Sequence, residues 1–476
     1  MSIFSSAHRC ICINTVRRRH STVRSRGAFL YVQTINQDIN QVASDFVLRS
    51  ILKSSLHTIL LIPTMSSPQY DMVLLGPTGY TGRFCADHIV QNHPTNLKWA
   101  IAGRSAAKMD PIAKELKALV PDRVQPDVLE VQLNSAELDE LAKQTKIIIN
   151  CIGPYFKYSS PVVEACANNG THYLDVTGET PWIKTMIDKY HETAKNNGAI
   201  IIHSVGVESA PADMLAWSLV KRVREDFSTS TREIYSCIKE LKSSGASGGT
   251  LNTIISIFDW LPTSQLLKFA GPYSLAVSPP KDVPSEGILQ KVLGVRSIRD
   301  LGTLTTSPNG MADMAIVYRS STLMPELYGQ RFVFHQLLNV RNALVGALFH
   351  VGFTFGLALL LLPPVRWLVR KVIFAPGSGP SMQESLNDRI EYHAVATADQ
   401  AGAAPKRVFG KLSFHGSMYV YTGLLVAEAA MVILQEEERI KKASRGGIVT
   451  TAALGQGFVD RLDQVGCRIE TRVLED

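Results

Sequence analysis

From Tyr70 onward, short apolar runs alternate with mixed segments at a regular spacing. Tyr70-Asp-Met-Val-Leu-Leu75 is bounded by Gly76 and reads as a buried parallel strand. Residues 84–92 read as a helix broken near Pro94, 97–102 as a second strand and 112–120 as a helix. A third strand follows at 128–133, a short helix at 138–143 and a fourth strand at 146–152. Pro161 to Asn169 predicts a helix with Pro in its first turn, then a strand at 171–176, a helix at 182–196 and a strand at 199–203. This alternation predicts a doubly wound α/β fold on a parallel sheet with right-handed crossovers, complete with six strands before about residue 205.

Beyond a boundary at 205–230 the pattern changes. Runs at 233–241, 315–318, 391–397 and 407–414 read as strands with fewer intervening helices, which predicts a second α+β domain on a largely antiparallel sheet. A last helix near 458–462 is expected to return toward the first domain. The expected organisation is therefore an extension at 1–64, a nucleotide-binding domain at 65–210 and a second domain at 211–476.

The first strand runs into Gly76-Pro77-Thr78-Gly79-Tyr80-Thr81-Gly82. Glycines in a strand-to-helix turn let backbone N–H groups approach a pyrophosphate, and the helix N-terminus adds a favourable dipole. The spacing is a variant of the G-x-G-x-x-G fingerprint, and its context predicts a Rossmann-like dinucleotide site. The second strand ends in Ala102-Gly103-Arg104-Ser105, with Lys108 beyond and no acid for a ribose 2′-hydroxyl. A guanidinium there matches a 2′-phosphate, so NADP(H) is the expected cofactor. Asn150, Gly153 and Pro154, at the end of the fourth strand, are expected beside the nicotinamide ribose. Cys151 between them lies in an apolar run with no basic neighbour and reads as structural.

These stretches resemble the saccharopine dehydrogenase-like oxidoreductases. The residues that carry the likeness are Gly76–Gly82, Ala102-Gly-Arg104, Asn150–Tyr155, Thr171–Glu179, Val205–Asp213, Ser247–Thr250 and Pro376–Ser381. The resemblance implies kinship with membrane- or lipid-droplet-associated eukaryotic oxidoreductases and with a bacterial trans-acting enoyl reductase of lipid and glycolipid assembly. Likeness to authentic saccharopine reductase of lysine metabolism is looser. No set of Arg and acidic residues stands out that would clamp an amino-dicarboxylic acid.

Reduction of a carbonyl or enoyl group needs a placed proton donor or oxyanion stabiliser. Tyr155, Asp175, Glu179 and Asp213 fall at strand ends or in the loops that follow and are the catalytic candidates, each equally able to cap a helix or pin a loop. Tyr235-x-x-x-Lys239 has the spacing of a reductase pair, but its surroundings alternate like a strand, which would separate the two side chains. The 244–250 glycine–serine loop reads equally as a ligand contact or a connection.

Ala343 to Leu362 is free of formal charge, long enough for a bilayer core, and followed by Pro363-Pro364. A hairpin dipping into a membrane or lipid-droplet monolayer is the expected role, on the cytosolic face. Met418 to Leu434, with Glu428 inside it, reads as core. The seven cysteines are scattered, and Cys10 and Cys12 have no partner at metal-ligand spacing, so neither a disulfide framework nor a metal is expected. Residues 1–64 hold eight Arg or Lys against Asp38 and Asp45, which accounts for all but one unit of the formal +7 and leaves no electrostatic case for nucleic acid. That segment reads either as a mitochondrial transit peptide or as an extension upstream of a start at Met65. The combined expectation is an NADP(H)-dependent oxidoreductase acting on a hydrophobic, lipid-type substrate at a lipid surface, with oligomers allowed. The alternative is a membrane scaffold that keeps dinucleotide binding without catalysis.

Overall fold

The computed structural model describes residues 68–245, 255–269, 271–279, 287–371, 382–402 and 404–475. The expectations for residues 1–64, for Ser247–Thr250 and for Pro376–Ser381 lie outside these.

Strands β1 (Tyr70–Leu75), β2 (Trp99–Gly103), β3 (Asp127–Glu130), β4 (Thr145–Asn150), β5 (His172–Asp175) and β6 (Ile200–Ile202) form a parallel sheet. Helices α1 (Tyr80–Asn92), α2 (Ala106–Leu119), α3 (Ser135–Gln144), α4 (Tyr155–Tyr158), α5 (Ser160–Asn169) and α6 (Thr180–Asn196) connect them. The centre is dry: Val73, Leu74, Ile148 and Ile149 are fully buried, as strands covered on both faces require.

The later chain supplies α7 (Ala210–Phe227), β7 (Thr231–Lys242), α8 (Thr263–Phe269), α9 (Ile288–Leu293), β8 (Arg296–Ile298) and β9 (Gly302–Thr306). Then come α10 (Gly310–Leu323), α11 (Pro325–Tyr328), β10 (Val333–Asn339), α12 (Ala343–Leu359), α13 (Pro363–Arg370) and α14 (Met382–Ser385). The chain closes with β11 (Arg389–Ala398), β12 (Arg407–His415), α15 (Met418–Ser444), β13 (Gly447–Val449), α16 (Gly455–Gln464) and β14 (Arg468–Leu474). The second sheet has the order β14-β12-β11-β7-β10-β9-β8 and is antiparallel except where β10 runs parallel to β7.

Two expectations are corrected. The first sheet is not complete at six strands, because β13 adds a seventh beside β6 in the order β13-β6-β5-β4-β1-β2-β3. Residues 315–318 are not a strand but the middle of α10. All four side chains are buried there, and a helix buried all round shows the same uninterrupted apolar run as a covered strand.

The apolar stretch at 418–434 is core, as α15 packs across α1 so closely that a Cβ on Gly423 would stand 2.7 Å from the Cys85 backbone nitrogen. Its one buried carboxylate, Glu428, meets His88 Nε2 at 2.6 Å and Arg461 Nε at 2.5 Å. His88, His93 and Glu428 have the spacing of metal ligands, but the Arg461 guanidinium already neutralises the carboxylate, so the cluster reads as a buried ion pair joining α1, α15 and α16.

Candidate active site at the strand ends

The carboxyl ends of β1, β2, β4, β5 and β6 converge, and the glycine turn lies at their centre. Gly76 takes φ +89°, and a Cβ there would stand 2.6 Å from the Ile152 side chain. A Cβ on Gly82 would stand 2.2 Å from the Gly76 carbonyl oxygen, so the turn closes on α1 only with glycine at that position. Gly79 is the N-cap of α1 and contributes no side-chain cap, leaving the helix N-terminus open to an anion. Pro77 is buried, Thr78 exposed, Thr81 half-buried, and Tyr80 turns away to pack edge-on against Tyr419 at the start of α15.

Arg104 is exposed and Ser105 is the N-cap of α2. The fold adds a group the linear sequence hid. Glu130, at the end of β3, accepts a hydrogen bond from the Ala106 backbone N–H at 2.9 Å, which places a carboxylate at the start of α2, two residues from Arg104.

Asn150 is buried and works inward. Its amide donates to Ser159 Oγ and Tyr173 Oη, and its carbonyl oxygen accepts from the Ile152 N–H at 3.0 Å, which shapes the Cys151–Pro154 loop. Gly153 is exposed, with Pro154 half-buried behind it. Cys151 lies beside Cys85, whose thiol is pushed well above its ordinary range by burial.

The four catalytic candidates are occupied by the protein's own groups. Tyr155 is buried and its hydroxyl donates to the Asn150 carbonyl at 3.3 Å. Asp175 accepts from His203 Nδ1 (2.6 Å), Tyr173 Oη (3.0 Å), Thr177 N–H and Ser204 N–H, which ties the β5 and β6 loops together. Asp213 accepts from Ser320, Thr451 and the Ala452 N–H, and so pins the chain after β13 to α7. Its burial raises the carboxyl to about 6 against these hydrogen bonds. Glu179 accepts from the Tyr155 and Phe156 N–H groups at 2.7 Å each. Each of these residues therefore holds a loop in place. Tyr235 and Lys239 lie along β7, roughly 13 Å apart at the rise of a strand, with Tyr235 stacked on His335.

Glu179 supports the loop beside the expected nicotinamide, and it titrates in the working range. Burial raises its carboxyl to about 7, outweighing the two backbone N–H bonds that favour the charged form. The folded value lies above the ordinary 4.5, so its stabilising contribution is complete below pH 4.5 and is lost as pH rises through 7. Glu179→Gln is expected to remove that dependence. In urea unfolding, wild type should lose roughly 3 kcal/mol of stability relative to the variant between pH 4.5 and pH 8, and parallel pH dependences would reject this assignment.

A cleft of about 350 Å³ opens next to this loop, lined by Pro154, Phe156, Lys157, Tyr158, Asp259 and Trp260 among others. Phe156 stacks on Trp260 with centroids 4.7 Å apart. Asp259 pairs with Arg366 (2.8 Å) and Arg370 on α13, which links the cleft to the uncharged segment. That segment is α12 and α13, bent by 101° at the Pro363-Pro364 break. Leu344 (71%), Leu348 (66%), Phe355 (64%) and Trp367 (60%) are exposed, whereas the other face of α12 packs on β9 through Gly346 and His350. By length and composition the pair passes for a broken span. The single long apolar helix among the described residues, α15, is mostly buried.

With this geometry in view, residues 72–202 match the family model described as the saccharopine dehydrogenase NADP binding domain. A trans-acting enoyl reductase of Mycobacterium ulcerans is 29% identical over 84% of this chain and 98% of its own length. A trans-acting enoyl reductase of Mycobacterium tuberculosis is 26% identical over 84% of this chain and 96% of its own. Among solved structures, saccharopine dehydrogenase (L-Glu forming) from Saccharomyces cerevisiae superposes with a TM-score of 0.52 at 13% identity, covering 85% of this chain and all of that one. That likeness concerns the fold alone.

Proposed function

We propose that this chain, whose residues 72–202 match the saccharopine dehydrogenase NADP binding domain, uses NADPH to reduce a conjugated carbon–carbon double bond in a hydrophobic acyl substrate at a lipid surface. The glycine cradle fits the dinucleotide: added Cβ atoms on Gly76 and Gly82 would close it, and the uncapped α1 N-terminus suits the pyrophosphate. Gly76, Gly79 and Gly82 would hold the phosphates, Arg104 the 2′-phosphate, and the Gly153-Pro154 loop the nicotinamide ribose. Bound NADPH would supply the hydride. The chain's part is to orient the acyl group, exclude water and supply a proton.

One observation carries the choice of substrate. The aromatic cleft beside Gly153-Pro154 is joined through Asp259 to the exposed apolar hairpin of α12 and α13. An acyl chain leaving a lipid phase at the hairpin would meet Trp260 and Phe156 before reaching the strand ends. The hairpin carries its own interfacial residues: Lys371 sits 3.6 Å over the Trp367 ring, and Arg366 and Arg370 flank the apolar turn. The relatives' names favour an enoyl over a simple carbonyl substrate.

The test is oxidation of NADPH by the full chain in phospholipid vesicles, with long-chain trans-2-enoyl thioesters compared against saccharopine. The proposal requires consumption with the enoyl thioester alone. Consumption with saccharopine alone would contradict it, and tight NADPH binding without turnover of any enoyl thioester would favour the scaffold.

A further inference from the structure

The four sequence candidates are all occupied, so the proton donor has to come from elsewhere. Beyond the β6 loop the fold encloses a second set of polar groups that pair with nothing. Asp313 is fully buried, and neither of its carboxyl oxygens has a hydrogen-bond partner. The same holds for both amide atoms of Gln336, for Ser236 Oγ and for Ser307 Oγ, all at most 3% exposed. A core seldom leaves so many polar atoms unsatisfied in one place, since each costs free energy when dry.

These groups lie where α10 packs against β10 and its neighbour β7. Gln336 on β10 is directly opposite Ser236 on β7 in the strand register. Helix α10 lies along β10: a Cβ on Gly310 would stand 2.7 Å from the Gln336 carbonyl and 3.3 Å from the Ser307 Cβ, and Tyr318 Oη bonds to the Phe334 backbone. Asp313 is one turn past Gly310 on that helix, between the two contacts. Contacts at Val207 and Glu208 link this region to the loop after β5. Tyr392 on β11 reaches the Val207 carbonyl at 3.4 Å, and the next residue, Glu208, has its Oε2 2.7 Å from where a Cβ of Gly178 would lie, in the loop after β5. Burial raises the Asp313 carboxyl well above its usual range, and the charges of Glu208 and Asp213 push it further; burial raises Glu208 as well.

We propose that Asp313, with Gln336 beside it, is the site that receives the carbonyl group of the substrate and supplies its proton, with Glu208 relaying the replacement from the cofactor side. This rests on the enoyl-reducing function argued above. The neutral Asp313 O–H and the Gln336 N–H donate to the carbonyl oxygen. As hydride forms the new C–H bond at the β carbon, the π pair of the double bond moves onto the α carbon and carbonyl. The Asp313 O–H bond then breaks, its proton bonds to the α carbon, and the carboxylate left behind regains a proton from Glu208 and ultimately from water. One hydride and one proton are consumed per double bond.

An infrared experiment with trans-2-decenamide, whose carbonyl carries ¹³C, tests the site apart from turnover. Bound to the NADP⁺-loaded full chain, its carbonyl band should shift to lower frequency, and the shift should vanish in Asp313→Asn and shrink in Gln336→Leu. The wild-type-minus-D313N spectrum should contain a carboxylic-acid C=O band at neutral pH. Asp313→Leu should raise the thermal midpoint by a few degrees, because it removes a buried acid that has no hydrogen-bond partner. Its NADPH affinity should stay unchanged, while enoyl turnover falls by about 100-fold or more. An unshifted carbonyl band, a carboxylate band in place of the acid, or an Asp313→Leu protein that melts lower would overturn the assignment. If wild type reduces no enoyl substrate, the functional reading fails, and the infrared and melting results still judge the site.

Discussion

Gly82→Ala is expected to weaken NADPH binding by about 100-fold or more, roughly 3 kcal/mol, while leaving the fold intact. The added Cβ would meet the Gly76 carbonyl oxygen at 2.2 Å, and that oxygen also accepts the Gly79 N–H that closes the turn. Neither atom can give way, since the Gly76 N–H is itself bonded to the Ala102 carbonyl of β2. The turn must therefore open where the pyrophosphate would lie. Lys117→Ala is the control, because Lys117 is exposed in the last turn of α2, outside the glycine turn. Fluorescence titration with NADPH separates the two. Equal affinity in Gly82→Ala and wild type would mean the dinucleotide does not use this cradle. Arg104→Asp, titrated alongside, should lower affinity for NADPH more than for NADH.

Replacing Leu344, Leu348 and Phe355 together by Glu is expected to release the protein from phospholipid vesicles or lipid droplets, with a fall in partition of ~100-fold or more. All three side chains are exposed on the face of α12 that points away from β9, so the variant keeps the contacts at Gly346 and His350 that hold the helix. NADPH affinity should be unaffected, and reduction of a vesicle-borne substrate should fall with partition. Flotation on a density gradient reads the first effect. A variant that still floats with vesicles would show that this face is not the anchor.

The first sheet was legible from the sequence because most of its first six strands are short, largely apolar runs followed by a helix, and Gly76–Gly82 stands between the first strand and the first helix. Strand β13 was not legible. It is three residues long, Gly447–Val449, and acquires its place only by pairing with Ile200–Ile202, far away in the chain. The 315–318 run misled because local composition cannot tell a helix buried on all sides from a covered strand. Glu130 was missed because an acid was sought at the end of β2, whereas the fold brings one from the end of β3. Asp175, Glu179 and Asp213 are all fully buried, but a sequence cannot show whether a carboxylate's partners are its own backbone or a ligand. Asp313 is the converse: Gly310-Met-Ala-Asp313 carries no motif, and only the fold shows its carboxyl buried and unpaired.

The central claim is hydride transfer from NADPH to an enoyl carbon, and isotope transfer tests it most directly. The full chain in phospholipid vesicles is supplied with NADPH carrying deuterium at both C4 positions and with trans-2-hexadecenoyl thioester, and the acyl product is read by mass spectrometry. The account predicts a saturated acyl chain with a single deuterium at the β carbon and a proton from water at the α carbon. Unchanged enoyl thioester in the presence of bound NADPH, or a product without deuterium, would contradict it.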